Sequence, residues 1–143
     1  MIGIVICCHG KMGDGVRDAA EMIVGTQEQL EVIGVNPGDG SADLRAALEK
    51  AVEKTDDGHG VLLLTDLFGG TPTNICCTLL GLRDVEVITG FNLPLLIKAL
   101  TGRTNAESVS QLAKTSSEYG QRHISVAGEL LAGELLQKGK KSS

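Results

Sequence analysis

Along this chain, short unbroken apolar runs alternate with longer stretches in which apolar residues return every three or four positions. Ile2 to Cys8 is the first run, rich in β-branched side chains. A continuous run of that length marks a strand covered on both faces. From about Met12 to Val24, residues Val16, Ala19, Ala20, Ile23 and Val24 share one helical face, and Gly25 closes the helix. Leu30 to Val35 predicts a second strand, stopped by the turn sequence Asn36-Pro37-Gly38-Asp39-Gly40. Ser41 is placed to cap a helix to about Lys54, with Leu44, Ala47, Leu48 and Val52 facing inward.

Val61 to Thr65 predicts a third strand, followed by Asp66-Leu67-Phe68-Gly69-Gly70-Thr71-Pro72 and a helix to about Leu82. A fourth strand spans Val85 to Thr89. Helices are expected after Asn92 to about Leu100 and from about Asn105 to Tyr119. Ile124-Ser125-Val126 and the stretch Leu130 to Leu136 are the last apolar pieces, and the pattern does not decide whether the latter is a helix. Four alternations of strand and helix with short connections give a three-layer α/β fold, a four-stranded parallel sheet with helices on both faces. The expected strand order is the flavodoxin-like 2-1-3-4.

The 143 residues fit one domain, with no repeat or linker inside it. We read residues 1–126 as that domain and residues 127–143 as an extension, polar at its end. With no Trp, one Tyr and two Phe, the core has to be built from Val, Ile, Leu and Ala. A net charge of −5 argues against a nucleic-acid partner, which needs a basic face. No apolar run reaches the roughly 20 residues of a membrane span, and the start of the chain lacks a charged leader, so a cytoplasmic protein is expected. Cysteines occur as the adjacent pairs Cys7-Cys8 and Cys76-Cys77. Neighbours in a strand point to opposite faces, and the spacing is not that of zinc or redox sites, so all are read as buried, reduced, small hydrophobes.

Ligands of open parallel sheets bind beyond the carboxyl ends of the strands, where strand order reverses. Strand one ends in Cys8-His9-Gly10 and strand three in Thr65-Asp66, so in the order 2-1-3-4 His9 and Asp66 face each other across that crevice. A neutral imidazole nitrogen is nucleophilic near pH 7 and can take up a phosphoryl group reversibly. Asp66 would hold the proton on the other ring nitrogen and stabilise the charge that develops. Gly10 leaves room for a partner's own phosphohistidine. Gly69, Gly70 and Thr71, with Thr71 as N-cap and Pro72 as first helical residue, expose backbone N–H groups suited to phosphoryl oxygens. The arrangement requires no metal and no cofactor, and the sequence shows no ligand cluster.

Gly69-Gly70 is not a Walker motif, because no Gly-Lys-Ser/Thr follows, and the glycines after His9 are not spaced as a dinucleotide fingerprint. His59 and His123 fall near strand starts, away from the carboxyl edge, and are read as surface or structural residues. A receiver-like domain phosphorylated on Asp66 would need further carboxylates after strand one to hold Mg²⁺, where this chain has Cys8-His9-Gly10.

Several segments together resemble the EIIA component of the mannose class (mannose, fructose, sorbose) of the bacterial phosphoenolpyruvate-dependent sugar phosphotransferase system. They are Cys8-His9-Gly10, Ala19 to Gly25, Pro37-Gly38-Asp39, Leu64 to Asn74 and Gly90-Phe91-Asn92-Leu93-Pro94, within a likeness running from Ile2 to about Tyr119. The resemblance implies phosphorylation of His9 at Nε2, Asp66 on Nδ1, and a phosphoryl pocket lined by Thr71 and nearby amides. It implies phospho-HPr as donor and an EIIB component as acceptor, here a separate protein because the chain stops at Ser143; contact with the membrane would be only indirect, through the transporter. It also implies a homodimer in which a C-terminal antiparallel strand, for which Ile124-Ser125-Val126 is the candidate, is exchanged between subunits. A stand-alone regulatory EIIA, or a phosphoryl donor to a dihydroxyacetone kinase, would keep the same chemistry. Cys7 and Cys8 stand where small or β-branched residues are more usual in the family, which puts an oxidation-sensitive thiol beside His9.

Overall fold

The computed structural model describes residues 1–134. In chain order the elements are β1 (Gly3–His9), α1 (Met12–Val24), β2 (Leu30–Val35), α2 (Ser41–Thr55), β3 (Val61–Thr65) and α3 (Thr71–Cys77). They continue with β4 (Val85–Thr89), α4 (Leu93–Gly102), α5 (Val109–Arg122) and the short α6 (Ala127–Leu130). The four strands form one sheet in the order β2-β1-β3-β4, and every pairing is parallel. The expected order and layering are therefore observed.

Alternation along β1 divides the core in two, because successive side chains leave a strand on opposite faces. Ile4, Ile6 and Cys8 join Leu62 and Leu64 under α1, α4 and α5, where Ala20, Leu96, Ala99 and Leu112 close the layer. Val5 and Cys7 join Val61 and Leu63 on the other face, against Leu44, Leu48 and Val52 of α2 and Ile75 and Cys76 of α3. Burial of each such aliphatic side chain contributes about 1.5–3 kcal/mol, against about 1 kcal/mol net for an ordinary hydrogen bond. The two apolar layers hold the sheet, and polar contacts at its rim adjust it.

Several boundaries differ from the sequence reading. α3 stops at Cys77 instead of about Leu82, because Thr78, Leu79 and Leu80 each bond back three residues and tighten the chain into a 3₁₀ pattern. Gly40, not Ser41, occupies the cap position of α2, and Gly70, not Thr71, that of α3; neither makes a side-chain cap bond. α5 begins at Val109, since the Ser108 hydroxyl accepts the Gln111 N–H at 3.0 Å and fixes the start there. Among the described residues, Ile124, Ser125 and Val126 make no strand pairing, and both apolar side chains are exposed. In the Leu130 to Leu136 stretch, Leu130 ends α6, Leu131 is a turn and residues 132–134 are helical, and the last two residues lie outside those described.

One polar group spans the end of the sheet opposite the site. Arg103, just past α4, is 2% exposed and donates to the carbonyls of Ile2, Glu28 and Gln29 and to Gln27 Oε1. It ties the entry of β1 and β2 to the helical layer.

Candidate active site

His9 is the last residue of β1 and Asp66 the first after β3, on adjacent strands of the sheet. Cys7 pairs with Thr65 in register, so Asp66 leaves β3 one position short of His9. A carboxylate there is at the right height to reach back to the histidine. Asp66 Oδ2 accepts the His9 main-chain N–H at 2.9 Å and lies 2.9 Å from the ring Nδ1. The sequence predicted the ring contact and missed the main-chain one.

Burial is the largest single influence on Asp66 and pushes its carboxyl up, but the backbone and ring hydrogen bonds from His9, with the ring's charge, outweigh it. The net is a carboxyl held below the usual range, hence ionised near neutral pH. An ionised carboxylate only accepts, so Nδ1 carries a proton, and in the neutral ring Nε2 presents its lone pair. The His9 side chain is 50% exposed while that of Asp66 is 10% exposed: the base is open and its anchor is covered. The second carboxylate oxygen, Oδ1, is buried and has no hydrogen-bond partner among the described residues.

The far side of the ring meets the loop before α3. A Cβ on Gly70 would stand 2.8 Å from His9 Cε1 and 3.3 Å from Nε2, so only glycine leaves the ring where it is. Gly69 turns the loop at φ 86°. The first bond of α3 is Asn74 N–H to Gly70 O at 3.0 Å, which leaves the N–H groups of Thr71 and Thr73 ahead of the helical ladder; Pro72 has none. Thr71 faces His9 across an open groove of about 330 Å³ lined also by Gly10, Val35, Asn36 and Pro37. The sequence marked 36–40 as a turn, and 37–39 as part of the family likeness, without placing them at the site. Their position after β2, the strand beside β1, makes them the groove's other wall.

The remaining histidines stand apart from the pair. His59 Nδ1 contacts Asp57 at 2.7 Å in the loop before β3, at the opposite end of the sheet, as expected. His123 does not sit at a strand start. It follows α5, whose Gly120 carbonyl accepts from Asn92 Nδ2 just beyond β4 at 3.0 Å, so it lies on the carboxyl side of the sheet. There its Nδ1 donates to Tyr119 O at 2.8 Å and its ring stacks on Tyr119 at 3.8 Å between centroids.

All four cysteines are free; Cys7, Cys8 and Cys76 are buried and Cys77 is half-buried. Burial, reinforced by the charge of Asp66, pushes the Cys8 thiol up to about 12. A neutral buried thiol is a poor nucleophile. Exposed apolar residues do flank the site: Met12, Leu67 and Phe68, the last 80% exposed in a chain with only two phenylalanines.

Fold and pair together define a class: a small doubly wound α/β domain that presents one histidine nitrogen at the switch point of a parallel sheet. The model of the mannose-class EIIA family, described as "PTS system fructose IIA component", matches residues 3–116. The mannose-specific EIIAB component of Escherichia coli K12 is 32% identical over 124 residues, 86% of this chain and 38% of that protein. The chain thus spans well under half the length of that relative. The fructose-specific EIIA component of Bacillus subtilis is 27% identical over 92% of this chain and 90% of its own length. The crystal structure of a phosphotransferase system EIIA component from Streptococcus agalactiae superposes with a TM-score of 0.82 at 33% identity, covering 90% of this chain and 99% of that one. The chain belongs to the mannose-class EIIA family, phosphotransferase components of the sugar phosphotransferase system.

Proposed function

We propose that this protein is a phosphoryl carrier that accepts a phosphoryl group on His9 Nε2 from phospho-HPr and passes it to an EIIB component for sugar uptake. The observation that carries the reading is the Asp66 contact at Nδ1, which leaves Nε2 as the free nucleophile. The Nε2 lone pair attacks the phosphorus of the donor's phosphohistidine. The donor's N–P bond breaks and its electron pair returns to the donor imidazole. His9, phosphorylated at Nε2 and protonated at Nδ1, gains positive charge, which Asp66 stabilises. The transferring oxygens are held by backbone N–H groups of Gly69, Gly70 and Thr71, since positioning and charge stabilisation supply most of such catalysis. Transfer to the acceptor runs the same steps in reverse.

In this reading residues 1–126 are the carrier domain, residues 127–143 an extension, and the protein works in the cytoplasm. Among the described residues, no helix is long and apolar enough to cross a membrane. The protein acts as a homodimer. The open edge of β4 and the exposed Ile124 and Val126 support exchange of that segment, because an unpaired strand edge invites a partner strand. Truncation before Arg122 should then yield a monomer or an aggregating protein in sedimentation, and a well-behaved truncated dimer would refute the exchange.

The carrier function is tested by incubation with labelled phosphoenolpyruvate, enzyme I and HPr. Acid-labile label should map to His9 and be absent from a folded His9→Ala protein. Undiminished labelling of that variant would overturn the proposal.

A further inference from the structure

Behind the loop that carries Asp66 lies a chain of buried hydroxyls with no place in the mechanism above. Thr65, the last residue of β3, and Thr73, in the first turn of α3, are 0% and 2% exposed. Their hydroxyl oxygens are 2.6 Å apart, and Thr73 Oγ1 lies 2.6 Å from the carbonyl oxygen of Leu67. A carbonyl can only accept, so the single Thr73 proton points at Leu67 O. Thr73 must therefore accept from Thr65. The direction of the relay is fixed: Thr65 O–H to Thr73 O–H to Leu67 C=O.

The relay closes the base of the loop that grips the imidazole. Asp66, on the Nδ1 side of the ring, lies between Thr65 and Leu67 in sequence. Gly70, packed on the Cε1–Nε2 side, lies between Leu67 and Thr73. A Cβ on Gly70 would stand 3.7 Å from Leu67 O, the carbonyl that Thr73 holds, and 2.8 Å from His9 Cε1. Gly70 thus stands beside both the Leu67 carbonyl that Thr73 holds and the His9 ring, with no room for a side chain between itself and the ring. The Thr65 carbonyl also accepts from Gly90 N–H at 2.9 Å, which anchors the far end of the relay to the segment after β4. Linked hydroxyls polarise one another, and burial excludes water that could replace a missing member.

We propose that Thr65 and Thr73 are positioning residues for His9, their hydroxyl relay setting the gap between the Asp66 carboxylate and Gly70 in which the imidazole is clamped. The rate consequence rests on His9 being the phosphoryl acceptor; the geometric consequence does not. Thr73→Val keeps shape and removes the hydroxyl, leaving Leu67 O without this donor and Thr65 without its acceptor. Thr73→Ser keeps the hydroxyl and removes the methyl.

The full chain is compared as wild type, Thr73→Val, Thr73→Ser and Thr65→Val. The readouts are phosphoryl uptake from phospho-HPr over a range of donor concentrations, ¹⁵N NMR of the His9 ring, and thermal unfolding. Thr73→Val should lower the saturated rate about tenfold with little change in the donor's half-saturating concentration, as expected for a misplaced reacting group. It should also raise the share of His9 carrying its proton on Nε2. Thr73→Ser should restore both, and Thr65→Val, which cuts the relay at its other end, should reproduce both if Thr73→Val fails to fold. A folded Thr73→Val with wild-type rate and wild-type ring resonances overturns the proposal. So does a Thr73→Ser variant as impaired as Thr73→Val, which would assign the effect to the methyl. If the phosphoryl group maps to a residue other than His9, the carrier reading falls and the ring resonances alone decide: a tautomer shift in Thr73→Val and not in Thr73→Ser upholds the clamp, and its absence refutes it.

Discussion

Asp66 grips His9 twice with one oxygen: Oδ2 accepts the main-chain N–H and meets the ring Nδ1, each at 2.9 Å. The first contact locks the strand end and the second locks the ring, so the imidazole has little freedom to turn about its side-chain bonds. The nitrogen facing the groove is thereby decided by a residue on the neighbouring strand.

Asp66→Asn keeps the shape and removes the charge, and its amide can donate to the ring and favour the wrong tautomer. Phosphoryl uptake should fall by orders of magnitude, up to about 10⁴, by analogy with a triad histidine that loses its carboxylate. The fold should survive, because charge-assisted hydrogen bonds of about 1.5–3 kcal/mol are small beside two apolar layers. Quench-flow kinetics with circular dichroism as folding control measures this. Equal rates in a folded variant would refute the dyad and leave the loop before α3 as the main catalytic element.

The same contact makes a statement about acid. Asp66 is held below the usual carboxylate range, so the unfolded chain binds its proton first. The stabilisation is complete above the unfolded value of about 3.9 and is lost as pH falls through the lower folded value. Denaturant unfolding of wild type and Asp66→Asn should therefore show a stability gap near neutral pH that closes in acid. A gap that widens on acidification contradicts the assignment.

Gly70→Ala should damage the site without damaging the fold. The backbone of Gly70, at φ −87° and ψ 168°, is one that alanine adopts freely. Its new methyl would lie 2.8 Å from His9 Cε1, so the ring has to move. Displacement of about 1 Å costs roughly 10²-fold in rate. Uptake kinetics at unchanged melting temperature is the expected pattern, and a full rate would show that the ring yields without consequence.

Arg103→Met tests the opposite end of the sheet. It removes the donor to the carbonyls of Ile2 and Glu28 in a buried place, while Gln29 O keeps the Ile4 N–H at 3.0 Å. A loss of about 3 kcal/mol is expected, since each buried acceptor left without a donor costs about 1–3 kcal/mol and the site relaxes in part. Urea unfolding reads the loss, while phosphoryl uptake by the folded fraction should be unchanged because the guanidinium is remote from His9.

Periodicity alone fixed the strands, and for good reason. Val61–Thr65 and Val85–Thr89 are short, apolar and bounded by Gly and Asp, so no competing element fits them. The helix ends were harder to read, because capping depends on backbone geometry. Ser41 and Thr71 have the chemistry of caps, yet glycines precede them in the extended conformation that a cap adopts, and those glycines take the position. The 3₁₀ close of α3 and the start of α5 after its Ser108 cap depend in the same way on hydrogen bonds that the local sequence permits without requiring.

At the site, the residue types and their place at strand ends were legible: His9, Asp66, Gly69, Gly70 and Thr71 stand on the carboxyl side of the sheet. What only the tertiary structure decided was which atoms meet. Strand order put β1 beside β3, and register set Asp66 one position short of His9, so that one oxygen reaches both main chain and ring. Close approach of two loops made Gly70 a steric requirement, where its sequence suggested only a turn. The Thr65–Thr73–Leu67 relay joins a strand end to a helix through residues eight apart, a spacing with no periodic signature. Sequence carries the hydrophobic pattern that builds the layers, because burial is a property of each position. Contacts between elements depend on how the layers pack, and no single position encodes them.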